Sequence, residues 1–377
     1  MPKSFKYRLY PNQEQKERLE KTLETCRILY NYFLAERRDK YEKEQKKITC
    51  FEQINSLPSR KENNPFLKKV HSQVLQDIAR RVNKSFQNFF RRLKAQAGKA
   101  GYPRFKQYGR YDSFTYPQFG FNLKHSQLIL SHLDKIYIEK HRKLEGKIKT
   151  CSIIIKNGKF YVCFSCENIK VKRSRKTKKK VGIDLGLTSF LATSNGELKE
   201  APKAYRKSEK ELAKAQRRVS KRVKKSKRRK KAVRILAVKH EKVANQRKDL
   251  AHKLSRELVE KYDLIAHEKL QVKNMVKNRY LAKSINDAGW NLFLTILTYK
   301  VEETGKRIVE VEARNTSQIC SNCDKLREPK LKLSQRKFSC FECDFQDNRD
   351  INAARNILKR AEGLGTSLQG AVSVEAV

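Results

Sequence analysis

Apolar residues in the N-terminal third recur at intervals of three and four, the spacing of one helix face. The first run comprises Leu19, Leu23, Cys26, Tyr30 and Phe33, and the second comprises Val74, Ile78, Val82, Phe86 and Phe90. Pro11 precedes the first run and suits a helix start. Lys and Arg occupy the other faces of the second run. We therefore expect a helical domain over residues 11–104.

Short alternating segments replace this spacing in residues 105–170. They are 113–116, 128–130, 136–138, 152–155 and 160–164. Asn157-Gly158, between the last two, is a strong signal for a two-residue hairpin turn. Several short strands separated by turns are typical of a small β-barrel, and residues 1–10 would add its first strand.

Strands and helices alternate in the C-terminal half. Apolar strands are predicted at 181–185, 263–268 and 307–311, a long basic helix over 203–248, and another helix around Trp290. This alternation predicts an α/β unit. Residues 361–377 are rich in Gly and Ser and contain no Lys or Arg, so we expect a flexible tail there.

The composition is strongly basic, because 88 Lys and Arg against 40 Asp and Glu give a formal net charge of +48 over 377 residues. Such an excess requires a polyanionic partner, and nucleic acid or an acidic membrane surface are the candidates. The segment 171–180 has seven bases in ten residues and reads as a basic linker. The nucleic-acid contacts that we expect in this linker and in the long basic helix are Lys172, Arg173, Arg175, Lys178, Lys179, Arg217, Arg218, Lys221, Arg222, Lys225 and Arg229.

Several classes of protein are excluded by the same composition. No stretch approaches about 18 consecutive apolar residues, so no transmembrane helix is expected. The first residues lack the apolar centre of a signal peptide. An apolar share of 38% is too high for a disordered polybasic chain. Nine cysteines are too few for a disulfide scaffold, so reduced thiols or metal ligands in a cytosolic setting are expected.

Four cysteines have the spacing of a zinc ribbon. Cys320 and Cys323 form one CxxC pair, Cys340 and Cys343 form another, and sixteen residues separate the pairs. Two such pairs can place four thiolates around one tetrahedral Zn²⁺ about 2.3 Å away. Four protein ligands leave no open position, so the zinc would be structural.

A third CxxC pair, Cys163 and Cys166, lies inside an alternating strand and has no second pair near it. Residues three apart on a strand point to opposite faces, so core packing is the better interpretation of this pair.

Three carboxylates stand at the ends of predicted elements. Asp184 lies in an apolar strand two residues before a glycine, and Glu268 ends the apolar strand 264–268. Asp350 begins a helix, where it either caps the N-terminus or holds a metal. Asp184 could instead belong to a tight glycine turn, and Asp347 is an obvious decoy for Asp350. If the three converge, they can hold two Mg²⁺ ions about 3.5–4 Å apart, which is an arrangement that hydrolyses phosphodiesters.

Motifs along nearly the whole chain resemble the TnpB family, the OrfB proteins of bacterial and archaeal insertion sequences. In order they are YRLYPNQEQ at 7–15, ARRVNKSFQNFFRR at 79–92, YPRFK at 102–106, GIDLGL at 182–187, HEKL at 267–270, DAGWNLFLTILTYKVEETGKRIVEV at 287–311, TSQICSNC at 316–323, CFEC at 340–343 and DNRDINAARNIL at 347–358. The C-terminal motifs are specific because they stand in the family's order around the cysteine pairs.

The resemblance implies an RNA-guided endonuclease for double-stranded DNA, related to type V CRISPR effectors. It implies a mixed α+β multidomain fold: a helical recognition lobe (11–104), a wedge-like β-barrel (1–10 and 105–170), the basic linker, and a RuvC-like nuclease domain of RNase H type (181–315 and 347–360). The family's zinc ribbon would occupy 316–346.

The family's catalytic acids fall on Asp184, Glu268 and Asp350, which would bind two Mg²⁺ or Mn²⁺ ions. Its zinc ligands fall on the four cysteines. The implied partners are a guide RNA from the transposon end, one protein per RNA, and target DNA read beside a short motif. The protein would associate with the nucleoid when bound to DNA, and no membrane is involved.

Two details depart from the family. Asp324 and Asp344 stand where glycine usually follows each CxxC pair, so those turns could be strained. Lys269 follows Glu268, where a second acid is common in the family.

Three rival functions remain open at this point. They are an RNA-guided repressor that does not cut, a DNA-joining transposase, and an RNA-binding zinc-ribbon factor. The presence of all three acids favours the nuclease.

Overall fold

The computed structural model describes residues 2–96, 98, 100–169, 174–200, 204–332 and 334–367. It divides into two compact units, an N-terminal unit of residues 1–170 and a C-terminal unit of residues 171–377. Lys172 and Arg173, two of the expected nucleic-acid contacts, lie outside the described residues, as does the end of the chain from 368. Within those described ranges no helix has the length and apolarity needed to cross a bilayer.

A seven-stranded antiparallel sheet forms the first layer of the N-terminal unit. Its order is β2-β6-β7-β1-β5-β4-β3. The strands are β1 (Lys3–Tyr10), β2 (Ser113–Tyr116), β3 (Phe121–Lys124), β4 (Gln127–Leu130), β5 (Leu133–Glu139), β6 (Lys147–Lys156) and β7 (Lys159–Glu167). Tyr116 on one edge strand contacts Phe121 on the other, with ring centroids 6.4 Å apart, so the sheet is nearly closed. The expected small barrel is confirmed, with β1 at its centre and one strand, β3, that the sequence pattern did not reveal.

The turn between β6 and β7 is the two-residue hairpin that the sequence predicts. Asn157 has φ 52° and Gly158 has φ 72°, so both central residues are left-handed. This is the geometry of the hairpin turn that Asn-Gly favours. The register that follows from it, Lys156 opposite Lys159, buries Cys151, Phe160, Val162 and Phe164.

The described residues of the N-terminal unit also form five helices: α1 (Gln13–Glu44), α2 (Cys50–Asn55), α3 (Leu57–Glu62), α4 (Pro65–Lys68) and α5 (Ser72–Lys94). Asn12 and Gln15 form a reciprocal capping box that begins α1. The predicted stripe of α5 is fully buried at Val74, Ile78 and Val82, whereas Phe90 is 52% exposed. The apolar face of α5 therefore packs over its first half only.

A five-stranded mixed sheet organises the C-terminal unit. The strands are β8 (Lys180–Asp184), β9 (Ser189–Thr193), β10 (Leu198–Glu200), β11 (Leu264–Glu268) and β12 (Arg307–Val311), in the order β10-β9-β8-β11-β12. Strands β8, β11 and β12 are parallel to one another, whereas β9 runs antiparallel to β8. The parallel strands β8 and β11 have a neighbour on each side and are buried in their middle residues. This burial explains the continuous apolar runs that predicted them.

In the part of the C-terminal unit that the structure describes, six helices accompany this sheet: α6 (Ala204–Ser220), α7 (Lys227–Lys261), α8 (Val272–Met275), α9 (Ala282–Ala288), α10 (Trp290–Thr304) and α11 (Arg349–Ser367). Side chains of α7 and α10 form one core with Val181 and Ile183 of β8. Ile357 and Ala361 of α11 form another with Ala266 and Val311. The strand ends that carry the acids thus belong to a sheet with helices packed on it through two separate cores.

The prediction of a single long basic helix over 203–248 is wrong, because two helices, α6 and α7, occupy this region. The chain leaves the helical conformation after Ser220, and the hydroxyl of Ser226 accepts the amide of Arg229 to begin a second helix. Leu212 of α6 packs on Val243 of α7. The thin apolar seam therefore joins two antiparallel helices, because a narrow stripe on each is enough to bury the other.

The prediction of a flexible tail from residue 361 is also wrong for residues 361–367. Helix α11 continues to Ser367, seven residues beyond the predicted boundary. The carboxylate of Glu362 lies 2.9 Å from the ammonium of Lys180 on β8, and Ala361 is buried. These tertiary contacts hold a Gly-containing turn in helical form.

Gly182 permits β8 to pack directly on α11. A Cβ at this position would lie 2.0 Å from the carbonyl oxygen of Ala354 and 2.8 Å from the amide nitrogen of Leu358.

Gly182→Ala should therefore cost about 3 kcal/mol or more of the free energy of unfolding, since backbone atoms cannot yield as side chains do. Chemical denaturation measures it, with Gly363→Ala as the control, where a Cβ would meet nothing within 4 Å. Equal stability of the two variants would contradict this packing.

Candidate metal centres

Two of the predicted acids stand at the same edge of the central sheet. Asp184 is the last residue of β8 and Glu268 is the last residue of β11. These strands are parallel neighbours, and Ile183 lies opposite His267 in their register. The carboxyl ends of adjacent parallel strands meet at one edge, where open α/β sheets bind their ligands. The register alone brings the two carboxylates together.

Asp350 joins them from the start of α11. Its expected alternative role as the helix cap is performed by Asn348, whose side-chain oxygen accepts the amides of Asp350 at 2.8 Å and Ile351 at 3.4 Å. The Asp350 side chain is only 13% exposed, and its one described ion pair, with Arg336, is long at 3.8 Å. The Asp350 carboxylate is therefore free to face the sheet edge.

The decoy carboxylate has a different partner. Asp347 forms an ion pair with Arg355 at 2.7 Å, and its other oxygen accepts the amide of Asn348. A carboxylate held by a close guanidinium is already neutralised. Asp347 thus serves the local structure at the beginning of α11.

Asp184 responds electrostatically to the two other acids. Burial, together with the nearby carboxylates of Glu268 and Asp350, raises the pKa of Asp184 to about 8. Burial also raises the pKa of Glu268. Clustered carboxylates that repel one another in a partly buried site are stabilised as anions by a divalent cation. Their oxygen donors suit Mg²⁺ or Mn²⁺.

The carboxylates are less tightly gathered than the cysteines. Among the described residues, the four predicted cysteines are the group whose ligand atoms all lie within 4.8 Å of one another. Three carboxylates around two ions need a wider spacing than four thiolates around one.

The four thiols have the spacing of ligands around a tetrahedral metal ion. The sulfur of Cys320 lies 3.8 Å from that of Cys343, and the sulfur of Cys323 lies 3.6 Å from that of Cys340. A tetrahedral Zn²⁺ with bonds of about 2.3 Å places its sulfurs about 3.8 Å apart. Strands β13 (Lys337–Ser339) and β14 (Gln346–Asn348) flank the second pair. The cluster is therefore of zinc-ribbon type.

Local hydrogen bonds favour the thiolate form of one of the four cysteines, Cys343. The side-chain amide of Asn322 donates to the sulfur of Cys343 at 3.6 Å. This bond, with one from the amide of Phe345, lowers the pKa of Cys343 to about 7. Burial has the opposite effect at Cys320, whose pKa is raised to about 12. A metal ion would offset that burial, since thiolates are the form that binds it.

Both turns that lack the family's glycine adopt the glycine conformation. Asp324 has φ 59° and Asp344 has φ 50°. Left-handed backbone is sterically unfavourable for a residue with a Cβ, although Asp tolerates it better than most. Lys359 of α11 lies 2.7 Å from the Asp324 carboxylate. The cysteine turn and α11 are thereby joined.

The isolated CxxC pair behaves as expected. Cys166 is buried in β7 and Cys163 is half-buried, and both are free thiols. Burial raises the pKa of each, which leaves them neutral at ordinary pH. They are packing residues of the barrel.

The expected nucleic-acid contacts differ in environment. The exposed ones are Arg175, Lys178, Lys179, Arg217, Arg218, Lys221, Arg222 and Lys225. Arg229 is half-buried, and its guanidinium donates to the carbonyls of Val219 and Arg222. Arg229 therefore closes the turn between α6 and α7.

Three polar residues near the acids were not predicted. Thr316, Asn352 and Asn356 are all buried, with at most 5% exposure. Thr316 contacts Glu268, and the two asparagines hold the backbone around Cys320. The available sequence signal was Asn352, which follows Asp350 by two residues and stands between two apolar residues of a helix. An unpaired buried amide is costly, so an asparagine in such a position indicates a hydrogen-bonding partner.

Three family models match separate parts of the chain. Residues 162–279 match a model of the OrfB proteins of IS605 described as "Probable transposase", and residues 290–357 match "Cas12f1-like, TNB domain". Residues 1–46 match "Helix-turn-helix domain", and here they form strand β1 and the single helix α1.

Relatives with assigned names extend the similarity to nearly the whole chain. A protein of Streptomyces pristinaespiralis with the name "Putative RNA-guided DNA endonuclease" is 35% identical and covers 98% of this chain and 91% of its own length. One of Escherichia coli strain K12, with the name "Putative RNA-guided DNA endonuclease InsQ", is 30% identical over 94% of this chain and 91% of its own. The CRISPR-associated endodeoxyribonuclease Cas12f1 of Sulfoacidibacillus thermotolerans is 29% identical over 34% of this chain and 31% of its own.

Proposed function

Because this chain belongs to the TnpB (OrfB) family, which includes relatives named as RNA-guided DNA endonucleases, we propose that it is such an endonuclease. It would cut double-stranded DNA at one acidic site, beside a short target-adjacent motif. What supports the proposal is the position of Asp184 and Glu268 at the ends of the adjacent parallel strands β8 and β11. Asp350 is near enough to contribute to the pKa of Asp184, which burial and the two other acids raise to about 8.

The C-terminal unit is assigned to a RuvC-like nuclease domain of RNase H type, over 181–315 and 347–360. The strand order β10-β9-β8-β11-β12, with β9 antiparallel, supports this assignment. So does the position of each acid at a strand end or helix start.

Two Mg²⁺ ions, or Mn²⁺, fit the donor set of the acidic site. Its donors are carboxylate oxygens, which these hard cations prefer. The pKa of Asp184 is raised because burial and the two neighbouring acids outweigh the opposite effect of Arg349. Such ions supply Lewis-acid activation of a phosphodiester and of the attacking water. Asp184, Glu268 and Asp350 would hold them, and the capping of α11 by Asn348 keeps Asp350 in place.

Zn²⁺ fits the four thiols, whose spacing is that of a tetrahedral sulfur site. Cys320, Cys323, Cys340 and Cys343 would hold it in a ribbon over 316–346. A full set of four protein ligands leaves the ion a structural role.

A guide RNA from the transposon end would supply sequence specificity by base pairing, with one protein per RNA. Protein bases would hold phosphates irrespective of sequence. In this scheme residues 11–104 form the recognition lobe and the barrel is the wedge-like domain. The protein would act in the prokaryotic cytoplasm and associate with the nucleoid when bound to DNA.

The test uses protein co-expressed with the DNA that flanks its gene. The purified complex is incubated with Mg²⁺ and a plasmid library that carries a guide-matched target beside randomised bases. We expect double-strand cuts that require RNA and Mg²⁺, and the cut plasmids reveal the adjacent motif. Target binding without cuts would support a repressor instead, joined ends a transposase, and a protein without bound RNA would overturn the proposal.

The exposed bases of the α6–α7 hairpin should contribute to RNA affinity through phosphate contacts. Arg218→Gln with Arg222→Gln should weaken guide-RNA binding and reduce the slope of log K against log salt by about one to two, since each contact contributes about 0.7–0.9. The control pair Lys253→Gln and Arg256→Gln removes bases that already pair with Asp249 and Glu260. An identical slope for both pairs would exclude this surface.

A further inference from the structure

Two buried asparagines of α11 hold the backbone that leads into the first cysteine turn. Asn352 accepts the amide of Ser321 at 2.9 Å and donates to the carbonyl of Ile319 at 2.8 Å. Asn356 donates to the carbonyls of Ile319 at 2.7 Å and Thr316 at 2.9 Å. Buried amides with these hydrogen bonds made fix one geometry, since any shift leaves a polar group unpaired. Residues 316–321, hereafter the first knuckle, therefore move with α11.

The same helix carries Asp350, two residues before Asn352. Arg349 adds a contact between its guanidinium and the hydroxyl of Ser317 at 3.3 Å. Lys359, further along α11, pairs with Asp324, three residues beyond the first knuckle. Helix α11 is thus attached to the first knuckle from its first turn to its third, and the position of Asp350 depends on that attachment.

Thr316 extends the connection to a second acid. Its hydroxyl lies 3.4 Å from one carboxylate oxygen of Glu268 and 3.3 Å from the carbonyl of Ala313. A hydroxyl has one hydrogen to donate, and an ionised carboxylate is the stronger acceptor. The Thr316 carbonyl is held by Asn356. The hydroxyl can therefore fix the orientation of Glu268 while the main chain of Thr316 follows α11.

From these contacts we propose that the first knuckle is a positioning element of the acidic site, with Thr316 the positioning residue for Glu268. It sets the spacing of Glu268 and Asp350 for divalent cations. Partners that orient metal ligands typically contribute 10–100-fold to affinity or activity. The proposal rests on the proposed metal-binding role of the three acids, and its test separates the two.

The test measures Mn²⁺ affinity of the full-length protein by electron paramagnetic resonance, which distinguishes free from bound ion. Thr316→Val keeps the shape of the side chain and removes its hydroxyl, and Thr316→Ser restores the hydroxyl. We expect affinity to fall about tenfold in Thr316→Val and to return within about twofold of the original in Thr316→Ser. Asp184→Asn gives the background from ions bound elsewhere.

A matched control is Thr304→Val, since the Thr304 hydroxyl lies 3.0 Å from two carbonyl oxygens of its own helix, those of Lys300 and Val301. This variant should leave Mn²⁺ affinity unchanged. Zinc content, measured by mass spectrometry, should be the same in all variants, which separates a loss of positioning from a collapsed ribbon. Equal Mn²⁺ affinity in Thr316→Val and Thr304→Val would overturn the proposal, as would a loss of zinc in Thr316→Val.

Cutting assays add a second readout. Thr316→Val should require about tenfold more Mg²⁺ for half-maximal cutting and recover most of its rate at saturating Mg²⁺. A rate that stays low at every Mg²⁺ concentration would assign Thr316 a role other than positioning. If the unaltered protein binds Mn²⁺ through Asp184 but never cuts DNA, the proposed function fails while the positioning role stands.

Discussion

Asp184→Asn should abolish RNA-guided cutting and leave guide-RNA binding intact. The change keeps the size of the side chain and removes the carboxyl group whose pKa is raised by Glu268 and Asp350. We expect a fall in cutting rate of at least about a thousandfold, or about 4 kcal/mol at about 1.4 kcal/mol for each factor of ten. Single-turnover cleavage of a guide-matched plasmid measures the rate, and filter binding measures RNA affinity.

The matched control is Asp347→Asn, which makes the same chemical change three residues before Asp350. Asp347 is paired with Arg355, and a partly exposed ion pair contributes about 1 kcal/mol or less. Its cutting rate should stay within about fivefold of the original. If Asp347→Asn were as inactive as Asp184→Asn, or if Asp184→Asn released the RNA, the assignment of the catalytic acids would be wrong.

Cys340→Ser should remove zinc and disorder the ribbon. Structural zinc contributes about 10–16 kcal/mol to small metal-bound units, and the ribbon has few buried apolar residues besides Leu331 and Phe338. We expect zinc to fall from about one ion per chain to less than about a tenth. Amide hydrogen exchange should become fast over 316–346. Cutting should fall more than a hundredfold, because the first knuckle is attached to α11 and contacts Glu268.

Cys163→Ser provides the control, because Cys163 belongs to a CxxC pair of the same spacing. This thiol is half-buried in β7, where serine is a close match in size. Zinc content and cutting should both be retained. Normal zinc content in Cys340→Ser, or zinc loss in Cys163→Ser, would contradict the assignment of the ligands.

The elements that carry the site could be predicted because their signals are local. Asp184 and Glu268 end apolar runs bounded by turn residues, and these runs are strands β8 and β11. Their neighbourhood in the sheet required knowledge of the strand order, which no local pattern contains. The role of Asn348 as the cap of α11 also escaped, although Asn is a favoured cap residue, because two acids beside it fit the same position.

The division of the basic segment into α6 and α7 could not be predicted from charge. Lys and Arg continue through the turn at 221–226, which contains neither Gly nor Pro. Both residues are favourable in helices, so the pattern predicts an unbroken helix. The break is set by tertiary contacts, namely the packing of Leu212 on Val243 and the guanidinium of Arg229 on the carbonyls of the turn.

The segment 361–367 and strand β3 are two further places where the sequence pattern was not enough to predict the structure. Residues 361–367 contain glycine and were expected to be loose, yet Ala361 and the Glu362–Lys180 pair hold them in α11. Strand β3 has only four residues, Phe121–Lys124, and a run this short is a weak signal. In both places contacts distant in sequence decide the local structure.

The close packing of Gly182 against α11 has a consequence for the order of events on the ribosome. Asp350 follows Asp184 by 166 residues, so β8 waits, without its helical cover, while all of the intervening chain is synthesised. At about 5–20 residues per second this interval lasts roughly ten to thirty seconds. During that time the nascent protein has bases enough to bind nucleic acid but has no assembled acidic site. Synthesis itself would therefore delay the proposed cutting activity until the chain has emerged past α11.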